Sequence, residues 1–402
     1  MKNQWKYGIA FILFFSLPLR GNAAEREYKD IITLNALRYL GTCGHTHLRI
    51  KALSALGNIH ETPAAETLLG GCESTNPLVR RTAISGLHGR DSDRVRNTVR
   101  NLLRDSRAGI RKAALSVIYS LEHRPVPGEA VQLIFDSDTP VAAAAARHYC
   151  ARMKRTAAVD ILRRAFAEGP SEVREIVARH AAEHPCPYLV PLFLRQLPDA
   201  PVPVQAAILH ALGRTGDPGR LPLLTEYASA AHYIVRRAAA RALSFMPGRK
   251  RISLTLKLSR DPDRTVRCAA VESLETVPSD AAVPFLVQRI FDTAESVRQT
   301  AARRLGRRNP PDLGPALSEA LSDDRSAVRS CALLALECSR NPAWEKTCIQ
   351  MLTDASPLVA VRSARAFSSA GTEKGIPFLV RSCLVHPAPG VRIQSLLTLG
   401  SL

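Results

Sequence analysis

A short pattern, V-R-x-x-A-x-x-A-L, returns along this chain at a nearly constant interval, and that interval constrains the fold more than any other feature. It is plain at Val79 (VRRTAISGL), Val235 (VRRAAARAL), Val266 (VRCAAVESL), Val297 (VRQTAARRL) and Val328 (VRSCALLAL). Its first position falls at Leu48, Val79, Ile110, Val141, Val173, Val204, Val235, Val266, Val297, Val328, Val359 and Val391. The step is 31 residues, except 32 from Val141 to Val173 and 32 from Val359 to Val391. A period this regular in 402 residues predicts one all-α solenoid of twelve stacked units over residues 24–402, not several globular domains.

The pattern carries its own physics. With the Val numbered 0, positions 0, +4, +7, +8 and +11 share one face of a helix turning 100° per residue. Position +4 is Ala in eight units (Ala52, Ala83, Ala114, Ala145, Ala239, Ala270, Ala301 and Ala332), which lets a partner helix approach closely. Position +8 is most often Leu, as at Leu56, Leu212, Leu305 and Leu336, and supplies bulk. Only 5% of residues are aromatic, which suits closely packed helices better than a sandwich or barrel core. A turn precedes position 0, with proline near the helix start at Pro77, Pro140 and Pro357. Before the turn lies a second amphipathic stretch, such as AAVPFLVQRIF from Ala281. Each unit therefore reads as a hairpin, helix A then helix B, unable to bury its apolar faces alone.

Two charged positions recur. Position +1 is Arg in nine units: Arg49, Arg80, Arg111, Arg174, Arg236, Arg267, Arg298, Arg329 and Arg392. Position −5 is Asp in seven: Asp105, Asp136, Asp199, Asp261, Asp292, Asp323 and Asp354, with Glu168 in an eighth. Opposite charges repeated at the hairpin turn predict a structural ladder that pairs within and between units.

These runs, together with ALGNIHETPAAETLL from Ala55 and ALGRTGDPGRLPLL from Ala211, resemble HEAT repeats, and more narrowly the short HEAT-like repeats of phycobilin lyases and many bacterial proteins. The resemblance covers nearly the whole chain after its N-terminal segment. It implies a right-handed superhelix with the B helices on the concave side, and a scaffold or binding surface rather than an enzyme. Residues that would mark its catalytic relatives are missing. The HEAT-type hydroxylases use repeated His-Glu dyads to hold two irons, whereas the one His-Glu here is His60-Glu61, in a loop. The HEAT-like DNA glycosylases use aromatic and acidic residues on a basic face, and this chain has only two tryptophans, Trp5 and Trp344. No catalytic signature of a phycobilin lyase can be placed.

Two local motifs invite a metal. His180-Ala181-Ala182-Glu183-His184 matches H-x-x-E-H of one class of zinc peptidases, with Cys186 just beyond. The repeat puts His180 at +7 and His184 at +11, both expected on the core side, with Glu183 turned away at +10. The match reads as chance on an alanine-rich helix. TCGHTH, with Cys43, His45 and His47, lacks a fourth ligand and reads as a polar turn. No phosphate-binding glycine loop or nucleophile elbow occurs, so neither enzyme activity nor a cofactor is expected.

The N-terminus has the three parts of a secretory signal: lysines at Lys2 and Lys6, an apolar run from Tyr7 to Leu19, and small residues at Gly21 and Ala23. Residues 1–23 are thus expected to leave on export, placing the chain in the periplasm or outside the cell, with no span remaining. Of the nine cysteines, Cys43 with Cys72 is the one pair whose bridging merits a test.

Net charge is +19, which attracts polyanions. Positions +2, +6 and +9 point away from the core of helix B; +6 is Arg at Arg147, Arg179, Arg241, Arg303 and Arg365, and +2 adds Arg81, Lys112 and Arg237. This basic stripe is the expected partner face for a protein or, alternatively, an anionic polymer. His148 and His180, both at +7 in consecutive irregular units, join it. In the last unit Ile393 and Leu397 fall at outward positions, an expectation of contact with another surface, such as a second copy.

Overall fold

The structure, a computed structural model, describes residues 23–43, 45–121, 126–152, 159–339, 345–370 and 375–401. Most of the leader segment, Trp344 and Leu402 lie outside them. Among the described residues every regular element is helical, and the helices pair into twelve A–B hairpins. The first is Ala23–Cys43 with Thr46–Leu56, and the last is Ile376–Val385 with Pro389–Leu399. No helix among them is long and apolar enough to cross a membrane.

Local chemistry sets the helix ends. Asn76 caps the B helix Pro77–Gly86 by accepting from the Leu78 and Val79 N–H groups, and Asp263 caps Arg264–Ser273 through Thr265 and Val266. The helix Glu295–Arg308 stops where Asn309 turns left-handed at φ 43°, just ahead of Pro310 and Pro311.

The chain divides into two compact bodies, Met1–Lys154 and Arg155–Leu402. Repeats 1–4 form the first and repeats 5–12 the second, so the division falls at the first 32-residue step. The period alone does not announce it. Within each body, B helices of successive repeats pack side by side as one layer, each backed by its own A helix.

The buried set follows the repeat. Val79, Val141, Val173, Val204, Val266, Val297 and Val359 at position 0 are fully buried, and so are Ala83, Ala114, Ala239, Ala270 and Ala301 at +4. Leu56, Leu87, Leu212, Leu243, Leu274 and Leu305 fill the bulk position between them. Burying each such leucine contributes roughly 1.5–3 kcal/mol.

Two outward–inward assignments need correction. Position +9 was expected to face solvent, yet Gly213 and Gly306 at that position are buried. A methyl on Gly213 would come within 2.6 Å of the Ala242 backbone, and one on Gly306 within 2.2 Å of the Ala335 oxygen. Consecutive B helices touch there, backbone against backbone. His184, expected on the core side, is exposed because it sits at the C-cap, where the chain leaves helical geometry at φ −123°.

Candidate binding face on the B helices

The ladder fixes the B helices in register. Arg111 donates to Asp136 through Nε and Nη2 at 2.7 and 2.6 Å, and Arg236 to Asp261 at 2.8 and 2.9 Å. Arg267–Asp292 and Arg329–Asp354 repeat the geometry, and Arg80 pairs with Asp105. The arginine of one repeat thus grips the aspartate of the next. Its third nitrogen binds its own turn: Arg267 Nη1 donates to the Asp261 and Pro262 carbonyls, both at 2.9 Å. Each aspartate also accepts an N–H two residues on, as Asp136 does from Asp138 and Asp354 from Ser356. The Arg329 guanidinium holds Asp354 below its ordinary carboxylate range. Hydrogen-bonded this fully and largely buried, these pairs offer nothing to a ligand.

Two rungs depart from expectation: Arg174 does not pair with Asp199, its Nε buried without a hydrogen-bond partner, and Arg298 does not pair with Asp323. Asp323 is clasped instead by Arg325, two residues away, at 2.9 and 3.0 Å. Arg298 keeps its bonds to the Asp292 and Thr293 carbonyls, while its Nε is buried without a hydrogen-bond partner. The local partner wins because it closes a far shorter loop. Glu168 likewise pairs within its own helix, with Arg164.

A second arginine set escaped the sequence reading. Arg90, Arg152, Arg214 and Arg308, near the ends of their B helices, donate to carbonyls at the end of the preceding repeat's B helix: Leu56, Leu121, Ala182 and Leu274. Those last carbonyls have no intrahelical partner and carry the negative end of the helix dipole, so a cation there satisfies both. The signal was the recurrence of Arg at positions +10 and +11.

The expected stripe is split between the bodies and uneven in charge. In the first body Arg81, Lys112 and Arg147 are exposed, and His148 is half-buried, stacked on Tyr119 with ring centroids 4.9 Å apart. In the second, Arg179 is exposed but paired with Glu175 at 2.8 Å, and Arg303 bonds Gln299. Arg241 and Arg365 are exposed and Arg237 is half-buried. His180 is not part of an accessible face: it is 9% exposed, its ring 4.8 Å from that of His184. Burial, then His184, pulls its pKa down. Between the arginines, position +6 holds His210, Glu272 and the buried Leu334.

One cluster is built tightly. Gly213 brings the B helices Val202–Arg214 and Tyr233–Ala242 into backbone contact. Arg214 donates Nε to the Ala182 carbonyl at 2.8 Å and lies over the Phe245 ring, 4.7 Å from its centroid. His210 meets the same ring at 5.9 Å. Burial lowers the His210 pKa, and Arg241 and Arg214 lower it further against an opposing pull from Glu183.

Among the described residues no three His, Cys, Asp or Glu side chains gather as a metal would require. None of the nine cysteines is joined in a disulfide, Cys43 and Cys72 included. Burial pushes the Cys72 and Cys348 thiols up to about 12, far from the thiolate that reacts.

A sequence model of HEAT repeats matches residues 34–122, 165–244 and 252–337, well over half of the chain. The chain belongs to the HEAT-repeat family. No curated protein matches it. Among solved structures, one of Kap95p with RanGDP is similar over 92% of this HEAT-repeat chain and 61% of that one, with 12% identity and a TM-score of 0.66. Kap121p bound to Ste12p is similar over 92% and 49%, with 13% identity and a TM-score of 0.53. These likenesses establish the HEAT solenoid fold. The chain spans less than two thirds of the length of those neighbours.

Proposed function

We propose that this HEAT-repeat chain is a non-enzymatic scaffold whose B-helix layer receives a protein partner. The observation that carries the reading is the mixed charge of that layer. In the second body Arg179 is neutralised by Glu175, and Glu272 interrupts the cations that flank it. A surface alternating in sign, with the half-buried Phe245 beside Arg214, suits a folded or extended polypeptide better than a uniform polyanion. The binding of Ste12p by Kap121p lends support from a neighbour in fold.

The test is site-specific photocrosslinking in the native envelope. A photoreactive residue replacing Arg303 or Lys112, both exposed on the B layer, is expected to trap a protein. The same residue replacing Glu226, exposed on an A helix, is expected to trap none. Crosslinks from Glu226 alone would overturn the reading.

A second reading applies to the first body, where Arg81, Lys112 and Arg147 have no acidic partner among the described residues. There an anionic polymer is the alternative ligand, and its affinity would fall linearly in log salt concentration. We also propose export, on the three-part N-terminal segment, with cleavage after Ala23 read out by the mass of the mature chain. The last described repeat exposes Phe378, Val380, Leu384, Val385, Ile393, Leu396 and Leu397, and we propose that a second copy covers this face. Sedimentation showing a monomer at every concentration would remove that idea.

A further inference from the structure

The cationic cluster on repeats 6 and 7 is bounded on both sides. Arg237 and Arg241 stand one turn apart on the B helix Tyr233–Ala242, on one face. Neither has an acidic partner among the described residues. Beside them on the preceding B helix are His210 and Arg214, the latter laid over Phe245. One repeat further back stands Glu183, and one repeat further on stands Glu272, both on B helices. B helices packed at about 8–10 Å put these carboxylates roughly one helix diameter from the cations on either side.

That arrangement discriminates among anions. A continuous polyanion crossing the layer would pass from the arginines directly onto Glu183 or Glu272, where like charges repel. A short acidic run between neutral or basic residues meets only cations and escapes that repulsion. Phe245, half-buried and flanked by His210 and Arg214, offers an apolar platform next to the charges for a neighbouring side chain. The platform is preorganised, because the Gly213–Ala242 contact and the Arg214–Ala182 hydrogen bond fix both helices before any ligand arrives.

We infer that this cluster is the anchor for a short acidic peptide segment of the partner, with one or two carboxylates set on Arg237 and Arg241 and an adjacent apolar side chain on Phe245. This rests on the scaffold reading above and narrows it to a partner chemistry.

The test is selection of a displayed random-peptide library on the full chain, followed by anisotropy titration of the enriched peptides. Enriched sequences are expected to carry adjacent acidic residues beside an apolar one. Their affinity should drop about tenfold in Arg237→Gln with Arg241→Gln, and stay within about twofold in Arg81→Gln with Lys112→Gln, as a positioned charge contact requires. Thermal melts of both variants check that the fold is intact. Enriched peptides without acids would overturn the acidic anchor while leaving the scaffold reading standing. Acidic peptides weakened equally by both variant pairs, or displaced equally well by a thymidine oligonucleotide, would overturn it in favour of general polyanion attraction. No enrichment at all would count against both.

Discussion

Arg267 and Asp292 face each other across neighbouring repeats with two parallel hydrogen bonds of 2.9 and 2.8 Å, the carboxylate side chain only 4% exposed. Removing the cation strands a buried charge. Arg267→Ala is expected to cost about 3 kcal/mol, and Arg267→Met with Asp292→Leu less, because the double change removes the buried carboxylate together with its cation. The Ala294 N–H and Arg289 are left without that acceptor, which is the remaining cost. Denaturant midpoints of the two variants test the difference.

Acid should unfold the chain in two stages. His148, His180 and His210 are all lowered below the ordinary histidine value of 6.5, burial being the largest cause in each. The unfolded chain therefore takes up these protons first. Their contribution to stability is complete above about pH 6.5 and declines as pH falls toward the depressed folded values. Asp354, Asp292 and Asp136 are also lowered, so their contribution persists until pH drops below about 4 and is lost through their folded values. Melting temperature against pH should fall in these two windows, and His180→Asn should shrink the first.

Close helix approach should make two glycines intolerant. Gly213→Ala and Gly306→Ala push adjacent B helices apart and should each destabilise by about 1–3 kcal/mol. Gly314→Ala, whose added methyl meets nothing within 4 Å inside the helix Leu313–Leu321, should be neutral or stabilise by about 0.5–1 kcal/mol. Thermal melts of the three variants decide it.

Thiol labelling should be strongly ordered. Cys43 is exposed and should react with a disulfide reagent at once, whereas Cys72 and Cys348, buried with thiols near 12, should react only on unfolding. Mass spectrometry of partially labelled chains reads the order. Fast labelling of Cys348 in the native chain would contradict the buried position.

Much of this architecture was legible in the sequence because the repeat supplies its own frame. Arginine at +1 and aspartate at −5 of the next unit are 25 residues apart in the sequence, and Arg111–Asp136 pairs at that separation. What escaped depended on contacts that periodicity does not encode. Gly213 lies on the side of its helix that meets the next B helix, so a rule dividing core from solvent misplaced it. Asp323 turned to Arg325 because a local competitor sits at the turn. The Arg214–Phe245–His210 cluster joins side chains from two repeats whose neighbouring units hold different residues at those positions, so no repeat rule announces it.

Each ladder pair joins a repeat to its immediate neighbour and to nothing farther along the chain. Tension applied along the second body would therefore be carried link by link, as in a chain of clasps. Under load such a chain lengthens in hairpin-sized increments, starting at a link without its clasp, such as the one between Arg298 and Asp323. When tension is released, the clasped links at Arg236–Asp261, Arg267–Asp292 and Arg329–Asp354 are still closed to template the return.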